Sequence, residues 1–217
     1  MRLLTKLFFL FTVFFAVSSC IEHEVIPPPV NKLDLNATFV GYVNGTQIEF
    51  TQNVEGYKGE SSKRDSILNS PDLSKMLYIS EMRSPYNQRA VKLTLGALGW
   101  DASANTEPTL TMFNDFNLSN SAVALPFKNW STFTNPVSDV GVQFEYTDQS
   151  GNIWISRQSD LGQTATFTLI KQASDNTGDY SLFEANFSCK VWRYNVQTQL
   201  DESLNVSNAK LRAWFKN

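Results

Sequence analysis

The chain has 217 residues, enough for one folded domain with a short additional segment. Apolar residues make up 42% of it and aromatic residues 13%, which suffices for a hydrophobic core, whereas charged residues reach only 18%, below the usual quarter. The formal net charge is −3, and the lysines and arginines are scattered. The sequence therefore lacks the basic footprint of a nucleic-acid-binding protein, and we predict no nucleic-acid partner.

Residues 1–19 are predicted to be a cleaved export signal. Arg2 and Lys6 form a positive start, and residues 7–17, LFFLFTVFFAV, form an apolar stretch. That stretch is shorter than the about 20 residues that span a bilayer as a helix, and its length is typical of a signal peptide. Cleavage would remove two positive charges and no negative ones, so the net charge of −3 would become −5.

The residues at the end of this signal, Val17-Ser18-Ser19-Cys20, resemble the lipobox of bacterial lipoproteins. The resemblance implies that the Cys20 thiol carries a diacylglyceryl group and that its amine is acylated, with palmitate among the chains. Each buried CH₂ contributes about 0.8 kcal/mol, so two or more chains anchor a protein stably. An ordinary secretory signal with a coincidental cysteine is the alternative.

Residues 20–35 are predicted to be a lipidated, proline-rich stalk, because Pro27-Pro28-Pro29 favours an extended polyproline II conformation. Ile21 stands where inner-membrane lipoproteins of enteric bacteria carry Asp. Glu22 and Glu24 resemble the surface-export signal of Bacteroidetes lipoproteins. The resemblance implies an outer-membrane protein that faces the cell exterior, although the periplasmic face stays open.

Residues 36–217 are predicted to form one antiparallel all-β domain, because period-2 alternation and turn signals recur without a long helical period. Three hairpins can be given registers. Asn44-Gly45 indicates a two-residue type I′ turn that sets Phe39 opposite Phe50. A four-residue loop at 148–151 sets Tyr146 opposite Ile153. The closing strand pair sets Phe183 opposite Phe215, and a slip of two residues would keep its faces while changing its partners.

Further strands are predicted at residues 74–82, 88–95 and 163–171, and residues 53–71 are predicted to be a long exposed loop. Residues 101–120 fit either a short helix that Thr106 and Pro108 would start or a further strand. About nine or ten antiparallel strands imply a β-sandwich or a lipocalin-like barrel. The pattern does not choose between the two.

The predicted domain contains no histidine and one cysteine, since His23 falls in the stalk. We therefore predict no histidine-based catalytic machinery, no soft-metal site and no cofactor. Cys189 is predicted to be a small buried hydrophobe. A carboxylate pair that hydrolyses glycosides stays open, and its candidates are Asp139, Glu145, Asp148, Glu184, Asp201 and Glu202.

Aromatic side chains on the closing strands are the candidates for binding. Trp192 and Tyr194 have the opposite parity from Phe187 and Cys189, and their predicted partners, Val206 and Leu204, switch parity at the same level. A bulge or a second core layer would explain this, and so would an exposed aromatic patch that stacks on sugars or docks a partner. Two further tryptophans, each predicted opposite a glutamate, are candidates for a half-exposed platform: Trp154 and Trp214.

Asp65-Ser66-Ile67 lies in the predicted loop and resembles the O-glycosylation sequon of Bacteroidetes, which makes Ser66 a candidate glycosylation site.

The three hairpins together resemble the small β-rich lipoproteins of gut Bacteroidetes. The resemblance implies a lipocalin-like or sandwich domain on the outer membrane, and it brings no catalytic residues. We predict a lipid-anchored cell-surface domain that binds a glycan, a small apolar ligand or an envelope protein. The alternatives are a glycan-acting hydrolase that uses a carboxylate pair and a structural component of an envelope assembly.

Overall fold

The structure is a computed structural model that describes residues 32–68, 71–130, 140–158, 160 and 162–217. The predicted export signal, Cys20, His23 and the proline run lie outside the described residues.

The described chain forms eleven strands and one helix. In chain order they are β1 (Thr38–Val43), β2 (Thr46–Thr51), β3 (Lys58–Ser66), β4 (Ser74–Arg83), β5 (Ala90–Trp100), α1 (Leu110–Ser119), β6 (Val123–Pro126), β7 (Gly141–Thr147), β8 (Ile153–Ser156), β9 (Thr164–Asp175), β10 (Gly178–Asn195) and β11 (Leu200–Lys216).

The strands build one antiparallel sheet that curls into a half-barrel, in the order β2-β1-β11-β10-β8-β7-β5-β4-β3. The longest strands, β10 and β11, have 18 and 17 residues. The first part of β10 pairs with β9, which also pairs with β6, and its last part pairs with β8. The all-β prediction is confirmed, and the architecture is a curled sheet whose path runs from β2 to β3.

The core fills the inner face of the curl. Aromatic rings pack against one another there. The ring centroids of Phe144 and Phe187 are separated by 4.7 Å, and those of Phe183 and Phe215 by 4.4 Å. Burying one such side chain contributes about 1.5–3 kcal/mol. Cys189 is 5% exposed on the same face, as predicted, and burial, with a smaller effect of the Asp160 charge, raises the pKa of its thiol.

The register of the first hairpin is confirmed. Phe39 pairs with Phe50 and Val43 with Thr46, and both rings lie in the core. Asn44 and Gly45 have φ angles of 48° and 81°, as a type I′ turn requires.

The second hairpin differs from the prediction by one residue. Tyr146 pairs with Trp154 instead of Ile153, because the loop has five residues, 148–152, instead of four. The Asp148 carboxylate holds this loop: it accepts hydrogen bonds from the backbone N–H groups of Ser150 and Asn152 at 2.8 and 2.9 Å and from the Trp154 indole at 3.0 Å. Since side chains alternate, one residue of slip exchanges the two faces of β8.

Asp148→Ala should lower the free energy of unfolding at pH 7 by about 1–3 kcal/mol, the usual range for hydrogen bonds to a charged group. Burial alone would raise the pKa of Asp148, but hydrogen bonds from Asn152 and Trp154 outweigh it and the pKa is lowered below 3.8. The carboxylate therefore stabilises the fold above pH 4, and this contribution disappears as the pH falls through its folded pKa.

Urea unfolding at pH 7, 5 and 3 measures this contribution. The difference between wild type and Asp148→Ala should shrink toward pH 3, and Asp72→Ala, at an exposed surface position, is the control. A difference that stays constant down to pH 3 would contradict this role of the Asp148 charge.

The closing strand pair has the two-residue slip that the alternation left open. Phe183 pairs with Ala213 and Phe187 with Ala209, so the apolar face is the predicted one and the partners are not. The strands run on to Asn195 and Leu200 and leave a loop of only 196–199. This short loop sets the register, and no signal in the sequence marks it.

Residues 53–71 are not one long loop, because β3 occupies Lys58–Ser66 and pairs with β4 along its whole length. Every residue of β3 is polar or glycine, so the strand has no apolar alternation that would reveal it. The strand lies at the edge of the sheet, where charged side chains discourage pairing with other chains.

Residues 101–120, predicted to form either a short helix or a further strand, contain the helix α1. The Thr109 side chain accepts a hydrogen bond from the backbone N–H of Met112 and caps α1, which buries Phe113 and Phe116. Ten residues are too few to cross a bilayer, and none of the described residues form a helix that is long and apolar enough to do so.

Candidate binding site on the β10–β11 hairpin

Two of the four candidate aromatic residues are core residues. Trp154 and Trp214 are each 6% exposed, so their predicted role as half-exposed platforms is wrong. Trp154 faces inward because of the one-residue slip in its hairpin. Trp214 is covered by β3, whose Gly59 lies so close that a side chain there would collide with the indole ring.

Trp192 and Tyr194 lie on the outer face of the sheet. β10 keeps a regular alternation, with Cys189 and Val191 buried on the inner face, while Trp192 is half-buried and Tyr194 is 58% exposed. Only β11 switches parity, at a bulge opposite residues 187–189. Trp192 therefore pairs with Ser203 and Tyr194 with Asp201, and not with the predicted Val206 and Leu204. The structure contains the bulge of the first interpretation from sequence, and it also exposes the Tyr194 side chain.

Two isoleucines of β8 extend this surface. Trp192 pairs directly with Ile155, and the same register continued by two residues sets Ile153 opposite Tyr194. Ile153 is 53% exposed and Ile155 is half-buried. We call these four residues, Trp192, Tyr194, Ile153 and Ile155, the outer patch.

The Trp192 side chain is held in place by polar neighbours. Its indole N–H donates to Asp160 Oδ2 at 2.6 Å. The Arg157 guanidinium lies 4.9 Å from the ring centroid and the Lys190 ammonium 5.5 Å, both within the range of cation–π attraction. The ring is therefore ordered before any ligand arrives, which lowers the entropy that binding must overcome.

Paired charges border the outer patch. Arg157 makes two hydrogen bonds of 2.8 Å to the carboxylate of Asp201, and this contact lowers the pKa of Asp201. Lys92 lies 2.6 Å from Glu145 in the row that continues through Ile155. Because each of these cations faces a carboxylate, the border is polar and carries little net charge.

Two further apolar side chains are exposed at the end of the hairpin. Val196 is 78% exposed in the loop that follows β10, and Leu200 is 65% exposed on β11, where it pairs with Asn195 and has the opposite parity from Tyr194. Scattered single apolar residues on a surface need no explanation, whereas several at one end of a molecule mark an interaction site.

Four of the six candidate carboxylates lack the raised pKa that suits a general acid. The pKa values of four of them are lowered, in each case by hydrogen bonds that favour the charged form: Asp148, Glu184, Asp201 and Glu202. The fifth, Glu145, forms the ion pair with Lys92. Asp139 lies outside the described residues.

Other features of the described ranges offer less for binding. A surface pocket of about 260 Å³ is lined by Lys58, Glu60, Arg83, Ser84 and Pro85, and two of these residues, Arg83 and Glu60, form an ion pair at 2.7 Å. Within those ranges, no group of three or more His, Cys, Asp or Glu side chains is arranged to hold a metal ion.

Ser66 is the last residue of β3, paired with Lys75 and half-buried, and not part of an exposed loop. Its glycosylation stays a prediction.

The sequence predicted the aromatic half of the outer patch and missed the rest. Ile153 and Ile155 were placed on the core face by the one-residue slip. Arg157 and Asp160 belong to a connection that has no motif. Comparison of the chain with protein-family models, with curated protein sequences and with solved structures found no match in any of the three.

Proposed function

We propose that this chain is a lipid-anchored cell-surface protein that binds another protein of the cell envelope through the outer patch. The observation that carries the proposal is the hydrogen-bonded Trp192 paired with Ile155, with the exposed Tyr194 and Ile153 two residues along each strand. The proposed anchor is Cys20, on the outer membrane.

The chemistry of the outer patch is that of a protein interface. Interface centres are apolar and rich in Tyr, Trp and Arg, and their borders are polar. Here the centre combines Tyr194 and Trp192 with aliphatic side chains, and the border consists of neutralised ion pairs. The aliphatic side chains of Ile153 and Ile155 suit a protein partner, because sugar rings mainly use flat aromatic faces and hydrogen-bonding groups.

The outer patch lies at one end of the long strand β10. The described chain begins at the other end of β10, where the Leu33 N–H donates to Asp175 in the β9–β10 turn at 2.8 Å. A hydrogen bond from Thr177, and then this one, lower the pKa of Asp175 to about 2. The 18 residues of β10 cover roughly 55 Å at about 3.3 Å per residue. The outer patch lies at the end of β10 opposite the Leu33–Asp175 contact.

A glycan is the second candidate ligand. The exposed Tyr194 ring has the hydrogen-bonding side chains of Asp201 and Arg157 close by, which is a combination that also suits sugar binding. The cationic side chains of Arg157 and Lys190 already lie against the Trp192 ring, so the Tyr194 ring is the main surface on which a sugar could stack.

Site-specific photo-crosslinking in living cells tests the proposal. A photoreactive phenylalanine analogue at position 194 should capture a discrete protein, and the same analogue at position 86 should not. Tyr86 is the matched control, since it is 86% exposed on a different loop. Equal products from both positions would contradict a specific protein partner, as would capture at neither. Capture of polysaccharide alone at 194 would favour the glycan.

A further inference from the structure

We propose that the partner binds by adding a β-strand to the open edge of β11 at Leu200–Leu204. This inference rests on the proposed function, because it specifies how the same hairpin engages its partner.

Pairing along this edge of β11 ends at a defined place. β1 reaches Val206 through Val43, and the turn residue Asn44 then closes the ladder. The Asn44 backbone N–H donates to the Asn205 carbonyl at 2.8 Å, and the Asn205 N–H donates to the Asn44 side-chain oxygen at 2.8 Å. Among the described ranges, no strand pairs with residues 200–204 on the side opposite β10.

The direction of the free backbone groups follows from this contact. In a strand, the N–H and C=O of alternate residues point to the same side. Since both groups of Asn205 point toward β1, those of Ser203 and Asp201 point outward on the same edge. Both residues are exposed, and no backbone partner of either appears in the described structure on that side. The edge thus offers two donors and two acceptors to an incoming strand.

The side chains along this edge define what kind of strand fits. Leu204 packs against the core and Leu200 is 65% exposed, so the inner face offers apolar contacts. Asp201 and Ser203 point to the outer face, and Arg157 already neutralises the Asp201 charge. The edge therefore fits an extended segment in which apolar and polar residues alternate, which is the β-augmentation mode of recognition.

The other polar edge of the sheet is different. β3 carries Lys58, Lys63 and Arg64 along its length, and such charges prevent edge pairing. The open part of β11 carries no lysine, arginine or proline. It also adjoins the outer patch directly through β10, so one partner can cover both surfaces.

Hydrogen exchange of the full chain in detergent micelles tests the inference with a defined probe. The probe is a seven-residue peptide that alternates valine and threonine, with two lysines at each end for solubility. At saturating peptide, the amides of Asp201 and Ser203 should exchange at least about tenfold more slowly. A peptide that is N-methylated at alternate positions lacks the pairing donors and should give no protection.

Two variants at one position separate the backbone from the side chain. Ser203→Pro removes an outward N–H that β10 does not use, and edge strands tolerate such a proline. It should weaken peptide binding about tenfold, whereas Ser203→Ala, which keeps the N–H, should stay within about twofold. Melting temperatures establish that both variants are folded, and if Ser203→Pro is not, the N-methylated peptide provides the decisive comparison.

Unchanged exchange at Asp201 and Ser203 with millimolar peptide would overturn the inference. So would equal protection by the N-methylated peptide. Protection of these amides with no crosslinked protein at position 194 would support the edge and remove the proposed function. A crosslink at 194 without protection would do the reverse.

Discussion

Cys20→Ala is expected to move the protein from the membrane fraction to the soluble fraction completely. The thiol is the proposed attachment point of the diacylglyceryl group, and without it no acyl chain enters the bilayer. Because each buried CH₂ contributes about 0.8 kcal/mol, losing two or more chains removes far more binding free energy than any peripheral contact supplies. Fractionation and incorporation of labelled palmitate measure the effect.

Cys189→Ala is the matched control for this experiment. Cys189 is 5% exposed in the core, so its replacement should leave both the membrane fraction and the palmitate label unchanged. Recovery of the wild type as a soluble protein with a Cys20–Cys189 disulfide would contradict the anchor.

The first hairpin shows what the sequence can specify. A two-residue turn with Asn and Gly demands positive φ at both positions, so residue type and geometry determine each other. The register that followed was correct at every pair from Thr38 to Thr51.

The second hairpin shows where this reasoning fails. The five-residue loop depends on hydrogen bonds that the Asp148 side chain makes to Ser150, Asn152 and Trp154. The residue types in this stretch are equally compatible with a four-residue loop at 148–151. The error of one residue moved Trp154 to the solvent face and Ile153 to the core, which hid half of the candidate site.

Alternation predicts faces better than partners. On β10 the apolar face was correct, and up to the bulge a slip of two residues changed each pair with β11 without changing the face. Beyond the bulge the slip is three residues, so Val206 and Leu204 share the inner face with Cys189 instead of lying opposite Trp192 and Tyr194. For the same reason Trp192 and Tyr194 were correctly assigned to the side opposite Cys189. The strand β3 escaped prediction because its place depends on backbone pairing, and polar side chains carry no signal of that.

The affinity of the purified, crosslinked partner for Tyr194→Ala is the most direct test of the outer patch. Exposed tyrosines at the centre of an interface commonly contribute 2 kcal/mol or more, so truncation should weaken binding about 30-fold or more. Tyr194 is 58% exposed, so its replacement should leave the melting temperature nearly unchanged. Any loss of affinity then reflects the interface and not the fold.

Tyr86→Ala completes the comparison, because it removes a ring that is more exposed than Tyr194 from a loop outside the outer patch. The proposed function predicts that isothermal titration gives a dissociation constant about 30-fold higher for Tyr194→Ala and an unchanged one for Tyr86→Ala. Dissociation constants within twofold of wild type for both variants would contradict the assignment of the outer patch as the binding site.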